Sequence, residues 1–151
     1  MATSELIRIL RTRICARLTP QEAEFIASAA VPHDVPAGGD IGHEGETSSG
    51  LVFLLRGTAE IVKGLPGGGE DVLDTVEGPV MVGEIGLLTG APRSATMRAR
   101  TRCQCYLLTR SQFERLLEGD SLAVYKLVTA MAELLAHRLT AMNHRVVAVS
   151  R

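Results

Sequence analysis

Apolar positions recur three and four residues apart between residues 4 and 16. Leu6, Ile7, Leu10 and Ile14 share one face there and the arginines fall mostly on the other, which predicts an amphipathic helix. Thr19-Pro20-Gln21-Glu22 follows. Thr19 can accept from the backbone three residues on, Pro20 suits a first helical position and Glu22 can reach back, so a capping box should open a short helix from Pro20 to Ala30. Ala23, Phe25 and Ile26 are its expected buried residues.

From Val31 onward the period changes. Short β-branched and aliphatic runs, separated by glycine and proline, read as strands: Leu51 to Leu55, Thr58 to Val62, Asp71 to Val76 and Cys103 to Leu108. Many short strands at close spacing point to a sandwich or barrel. The Leu65-Pro66-Gly67-Gly68-Gly69-Glu70-Asp71 segment reads as a hairpin loop, because no Gly-Lys-Ser/Thr follows and no helix opens there. After Thr109 the helical period returns. A short helix should end at Gly119 as its C′ residue, and Asp120 or Ser121 should cap a long last helix from Leu122 to Val147. Its expected apolar stripe is Val124, Val128, Met131, Leu135, Leu139, Met142 and Val146, a heptad-like seam. A homodimer through Val128, Met131, Leu135, Met142 and Val149 is therefore expected.

Composition narrows the function. The chain has 151 residues, 16 Lys+Arg against 17 Asp+Glu, 46% apolar and 3% aromatic residues, and no Trp. One domain fits that length. The balanced charge lacks the basic excess of a dedicated nucleic-acid binder, and so few aromatics leave little for base stacking. No apolar run approaches the ~20 residues that span a bilayer, and Glu5 and the early arginines interrupt any signal-peptide core. Three cysteines, Cys15, Cys103 and Cys105, form no even framework, so a reducing cytoplasm is the expected compartment. Cys103 and Cys105 are expected to project to opposite faces of their strand, and four scattered histidines make no ligand set, so no metal is expected. His33 and His43 read as turn residues. Without a nucleophile–base pair or metal set, no enzymatic activity is expected.

Candidate chemistry concentrates in Gly83 to Ala99, GEIGLLTGAPRSATMRA. Gly83 and Gly86 flank a carboxylate, Glu84, and a Gly-Ala-Pro turn presents Arg93 and Ser94 before a strand resumes at Thr96. A helical turn over Glu84 to Leu88 would aim backbone N–H groups at an anion. Arg93 offers a permanently charged planar donor for a phosphate. Glu84 can accept from a sugar hydroxyl. Together they describe a site for a small phosphorylated sugar, with an internal Glu84–Arg93 ion pair as the competing reading.

This segment resembles the phosphate-binding cassette of the cyclic nucleotide-binding domain family, which includes bacterial catabolite activator proteins and protein kinase A regulatory subunits. Val35 to Val62 is similar to that family's first barrel strands, with Gly45 and Gly57 at its turn positions, and Cys103 to Leu117 resembles its last strand and following helix. The resemblance implies a mainly β fold: an eight-stranded, jelly-roll-like β-roll (31–110, cassette 83–97) between N-terminal helices (1–30) and C-terminal helices (111–151). It implies that Glu84 binds a ribose 2′-hydroxyl, Arg93 the cyclic phosphate, and Ser94 and the Ala95 backbone support that phosphate. Backbone amides of Gly83, Ile85 and Gly86 would face the ribose-phosphate. Val82 and Met97 would line the base pocket, and Arg138 or Thr140 would cover the base from a lid helix. Val82 departs from the family's usual aromatic. The implied function is a cyclic nucleotide sensor, cAMP before cGMP, that needs no cofactor and regulates a protein partner by moving its last helix. The alternative is a scaffold that binds no mononucleotide, or a cyclic dinucleotide reader. The family's transcription factors append a DNA-binding domain after the long helix. The stop at Arg151 and the neutral charge lead to the expectation of no DNA binding, and the lack of a spanning apolar run to that of no membrane association.

Overall fold

The structure is a computed structural model. It describes residues 2–47 and 50–150, with side chains over 4–47 and 50–143. Eight strands form two four-stranded antiparallel sheets: β1 (Val31–Val35), β2 (Asp40–Gly42), β3 (Leu51–Arg56), β4 (Thr58–Gly64), β5 (Glu70–Glu77), β6 (Val80–Val82), β7 (Thr96–Ala99) and β8 (Cys103–Leu108). One sheet runs β1-β8-β3-β6 and the other β2-β7-β4-β5. The helices are α1 (Ala2–Ile9), α2 (Pro20–Ala29), α3 (Glu84–Thr89), α4 (Arg110–Gly119) and α5 (Ser121–Ser150), with a π-helical turn, Leu10–Ile14, continuing α1. The expected mainly β roll with flanking helices is what is observed.

The run Leu51 to Leu55 is apolar throughout because β3 is buried on both faces. Leu51, Phe53 and Leu55 pack toward the helices with Leu6, Leu10, Ile26, Leu127 and Met131. Val52 and Leu54 point into the roll with Ala59, Met97, Cys103 and Cys105. Phe53 is 0% exposed, so truncation to Ala should cost about 3–5 kcal/mol. Cys103 and Cys105 belong to one cluster, which corrects the expectation of opposite faces: strand residues two apart share a face.

Local chemistry sets the helix ends. Thr19 accepts from Glu22 N at 3.2 Å and its own N–H donates to Glu22 Oε1 at 2.8 Å, the expected capping box. Thr109 and Gln112 repeat it on α4. Asp120 Oδ1 accepts from Ala123 N at 3.1 Å and opens α5. The first helix departs from a regular α-helix: Cys15 N donates to Leu10 O, five residues back. That wider turn leaves Leu10 and Cys15 both buried. Gly119 is the last residue of α4 rather than a left-handed C′ residue. A Cβ there would lie 2.7 Å from the Phe25 ring, so close packing accounts for the glycine. His33 sits within β1, not in a turn.

α5 divides into two halves. Ala123, Val124, Leu127, Ala130 and Met131 are buried against the roll, and no residue from 132 to 143 is buried. The expected single stripe is therefore corrected. Val124 and Met131 face inward, Leu139 and Met142 are 59% and 56% exposed, and Val146 and Val149 lie outside the described side chains. A second apolar line, Tyr125, Val128, Ala132, Leu135, Leu139 and Met142, runs in alternating steps of three and four; Val128 and Leu135 are half-buried, Val128 against the core, and the other four are exposed.

Candidate functional site

Between β6 and β7 the chain builds a loop–helix–loop against the mouth of the roll. Gly83 turns the chain off β6 with φ +94, a left-handed conformation, and a Cβ there would lie 2.7 Å from Gly50 O. Seven residues later Gly90 closes α3, also left-handed. Ala91 and Pro92 then deliver Arg93 to the start of β7. The space enclosed is a cavity of about 350 Å³ whose walls include Gly83, Glu84, Gly86, Arg93, Ser94, Ala95 and Arg138 on the polar side and Ile61, Val82 and Met97 on the apolar side.

Glu84 is the most buried acid of the site, at 2% exposure. Its Oε1 accepts from Arg138 Nη1 at 2.5 Å, and Arg138 Nη2 donates to Met81 O at 3.3 Å. Its Oε2 is buried and has no partner among the described residues. A buried carboxylate oxygen without a donor is costly, and a ligand hydroxyl can satisfy it. The cation that partly neutralises it comes from α5, 54 residues away.

Arg93 reaches back along the opposite wall. Its Nη2 donates to Gly50 O at 3.1 Å, while Nε is buried without a partner among the described residues. Burial pushes the guanidinium below its ordinary pKa, with Glu46 opposing that shift. Such a desolvated cation gains from an incoming anion. Its backbone is clamped by the β2–β3 loop: Gly45 N donates to Arg93 O at 2.9 Å and Arg93 N to Glu46 O at 3.1 Å. Gly42 leaves the space for the side chain, since a Cβ there would fall 2.5 Å from Arg93 Nε.

The outer side of the cassette is tied to β4. Lys63 Nζ donates to Ser94 O at 2.6 Å and pairs with Glu44 Oε2 at 3.2 Å. Glu44 Oε1 accepts from Gly64 N at 3.1 Å, and Glu44 N donates to Thr96 Oγ1 at 3.0 Å. The Gly64 amide, with Lys63, holds the Glu44 carboxyl below its ordinary pKa.

The structure thus brings Gly83, Glu84, Ile85, Gly86, Arg93, Ser94, Ala95, Val82, Met97 and Arg138 to one cavity. Glu84 pairs with Arg138 rather than Arg93. Arg138, expected to cover the base, lines that cavity and donates to Glu84. Thr140 is not brought in: it is exposed and donates to Ala136 O at 2.9 Å. Sequence reasoning missed Gly42, Gly50, Glu44, Ile61 and Lys63. The two glycines read only as turn punctuation, and nothing local marks the others: strand pairing sets Ile61 and Lys63 beside the cassette, and a loop brings Glu44 to Thr96 and Gly64. Among the described residues no group of His, Cys, Asp and Glu is placed to hold a metal, and no helix is long and apolar enough to cross a membrane.

Residues 32–120 match the family described as Cyclic nucleotide-binding domain. An uncharacterised ABC transporter ATP-binding protein of Mycobacterium tuberculosis is 35% identical over 101 residues, 66% of this chain and 28% of that protein. The cAMP-activated global transcriptional regulator CRP of Salmonella typhimurium is 26% identical over 76% of this chain and 55% of its own length. The chain thus spans little more than half of one curated relative and under a third of the other. The crystal structure of a cyclic nucleotide-binding domain from Methylobacillus flagellatus superposes with a TM-score of 0.84 at 21% identity, covering 97% of this chain and 83% of that one.

Proposed function

The chain belongs to the cyclic nucleotide-binding domain family, and from that premise we propose that it is a cyclic nucleotide sensor that takes cAMP in preference to cGMP. One observation carries the reading. One cavity holds two buried polar atoms of opposite character that have no partner among the described residues, Glu84 Oε2 and Arg93 Nε, beside an apolar wall. An acceptor for a hydroxyl, a cation for a phosphate and an apolar surface for a base are the needs of a cyclic mononucleotide. The relative activated by cAMP supports that choice.

In this reading the ribose 2′-hydroxyl donates to Glu84, the cyclic phosphate draws Arg93 from Gly50 O, and Ser94 and the Ala95 amide complete the phosphate contacts. The amides of Gly83, Ile85 and Gly86 face the ribose-phosphate, and Val82, Met97 and Ile61 pack on the base. Arg138 links the ribose site to α5, so occupancy changes what holds the projecting half of that helix. The shift extends to any partner that binds one helix position better than the other. The apolar line from Tyr125 to Met142 offers a homodimer contact.

One observation favours the alternative of a scaffold that reads no nucleotide: Glu84 Oε1 has a donor from within the chain, Arg138. Titration with a fluorescent cAMP analogue separates the two readings. Saturable binding displaced by cAMP supports the sensor, and its absence in folded protein supports the scaffold.

A further inference from the structure

We propose that Lys63 is a positioning residue for the phosphate site, acting through the Ser94–Ala95 peptide; this rests on the cyclic nucleotide reading of the cavity. Lys63 lies on β4 and touches none of the atoms assigned to the ligand. Its ammonium meets the Ser94 carbonyl oxygen at 2.6 Å and is held from the other side by Glu44 at 3.2 Å. Glu44 is itself fixed by the Gly64 amide and, through its backbone, by Thr96. The carbonyl is therefore held on the β4 side of the cassette.

Peptide planarity carries the consequence across. In a trans peptide the C=O of Ser94 and the N–H of Ala95 point in opposite directions. A cation on the carbonyl turns the Ala95 N–H away from β4, and Ala95 borders the cavity. The same contact polarises the peptide and makes that N–H a stronger donor. Without Lys63 the link between Pro92 and Thr96 loses the contact that sets this peptide's rotation. The neighbouring constraints act elsewhere: Gly45 and Glu46 grip Arg93, and the β4–β7 pairing begins at Thr96.

The test uses Lys63→Met, which keeps the aliphatic stem, and Lys63→Arg, which keeps a cationic donor. In the ligand-free protein, the 15N resonance of Ala95 should move in Lys63→Met, because an amide nitrogen senses what its own peptide carbonyl accepts, and should stay near its wild-type position in Lys63→Arg. Binding of cAMP should weaken on the order of tenfold in Lys63→Met and be largely restored in Lys63→Arg. The two phosphorothioate diastereomers of cAMP give a readout that general destabilisation does not move. Sulfur at the oxygen facing Ala95 is a poor acceptor, so wild type should discriminate between the diastereomers and Lys63→Met should narrow the ratio. An unmoved Ala95 resonance, or cAMP affinity within twofold of wild type with an unchanged ratio, overturns the proposal. Wild type that binds no cAMP while the Ala95 resonance still moves contradicts the nucleotide reading and upholds Lys63 as the residue that sets the peptide.

Discussion

Arg138 of α5 donates to Glu84 of α3 at 2.5 Å, joining the C-terminal helix to the carboxylate at the floor of the cavity. Glu84 is almost wholly buried, whereas the Arg138 side chain is 38% exposed. The pair is therefore asymmetric. Removing the arginine strands a buried charge, while neutralising the carboxylate leaves a cation that water can reach.

That asymmetry is measurable. Arg138→Met should lower unfolding stability by about 1–3 kcal/mol, the cost of a buried charged group deprived of its donor. Glu84→Gln should cost less, and the double variant less than the sum of the two. Urea unfolding of the four proteins checks this, and strict additivity would show that the pair does not couple.

Arg93 is expected to govern affinity rather than folding. Arg93→Ala should weaken cAMP binding by about 3–5 kcal/mol, because the partner phosphate is left desolvated and unpaired. Gly42→Ala should act in the same direction by evicting the guanidinium from the space above Gly42, where a Cβ would lie 2.6 Å from Cζ. Isothermal titration of both variants, with circular dichroism to verify folding, reads the effect; wild-type affinity in Gly42→Ala would show that Arg93 does not need that space.

Much of this was legible along the chain, for physical reasons that differ by element. Thr19 with Glu22, and the Gly-Glu and Pro-Arg-Ser-Ala segments of the cassette, are local signals: the residues that make the turn are the residues that define it. The face of α5 was not legible, because the period of its apolar residues suits either a seam or the roll. Only tertiary packing puts Met131 inside and Leu139 outside. Arg138 reads from the sequence as a lid residue, but its pairing with Glu84 depends on how α5 crosses the cavity. Lys63 and Gly42 lie on strands whose partners in the cassette are distant in sequence, so no spacing rule reveals them.

The corrected seam makes a separate prediction about assembly. Leu139→Glu places a charge on the exposed stripe and should shift a dimeric wild type to monomer with little change in melting temperature. Met131→Glu should instead damage the fold, since Met131 is 0% exposed. Sedimentation velocity at tens of micromolar decides between them, and a monomeric wild type with and without cAMP would end the dimer proposal.

Burial, then the neighbouring Cys103 and Asp34, push the Cys105 thiol up to about 12. The folded value lies above the unfolded one of about 8.5, so its contribution to stability is complete below that pH and is lost as pH rises toward the folded value. At pH 8 a disulfide-exchange reagent should leave Cys105 unlabelled in native protein and label it rapidly in denaturant. Fast native labelling would contradict the buried placement.

The central claim is that this cavity reads a cyclic nucleotide, and direct calorimetric titration of the wild-type chain with cAMP tests it most plainly. The account predicts saturable one-site binding in the micromolar range or tighter, about −8 kcal/mol or more favourable, weakened by about 3–5 kcal/mol in Arg93→Ala and competed less well by cGMP. A folded wild type that shows no saturable heat with either nucleotide at millimolar concentration would contradict it.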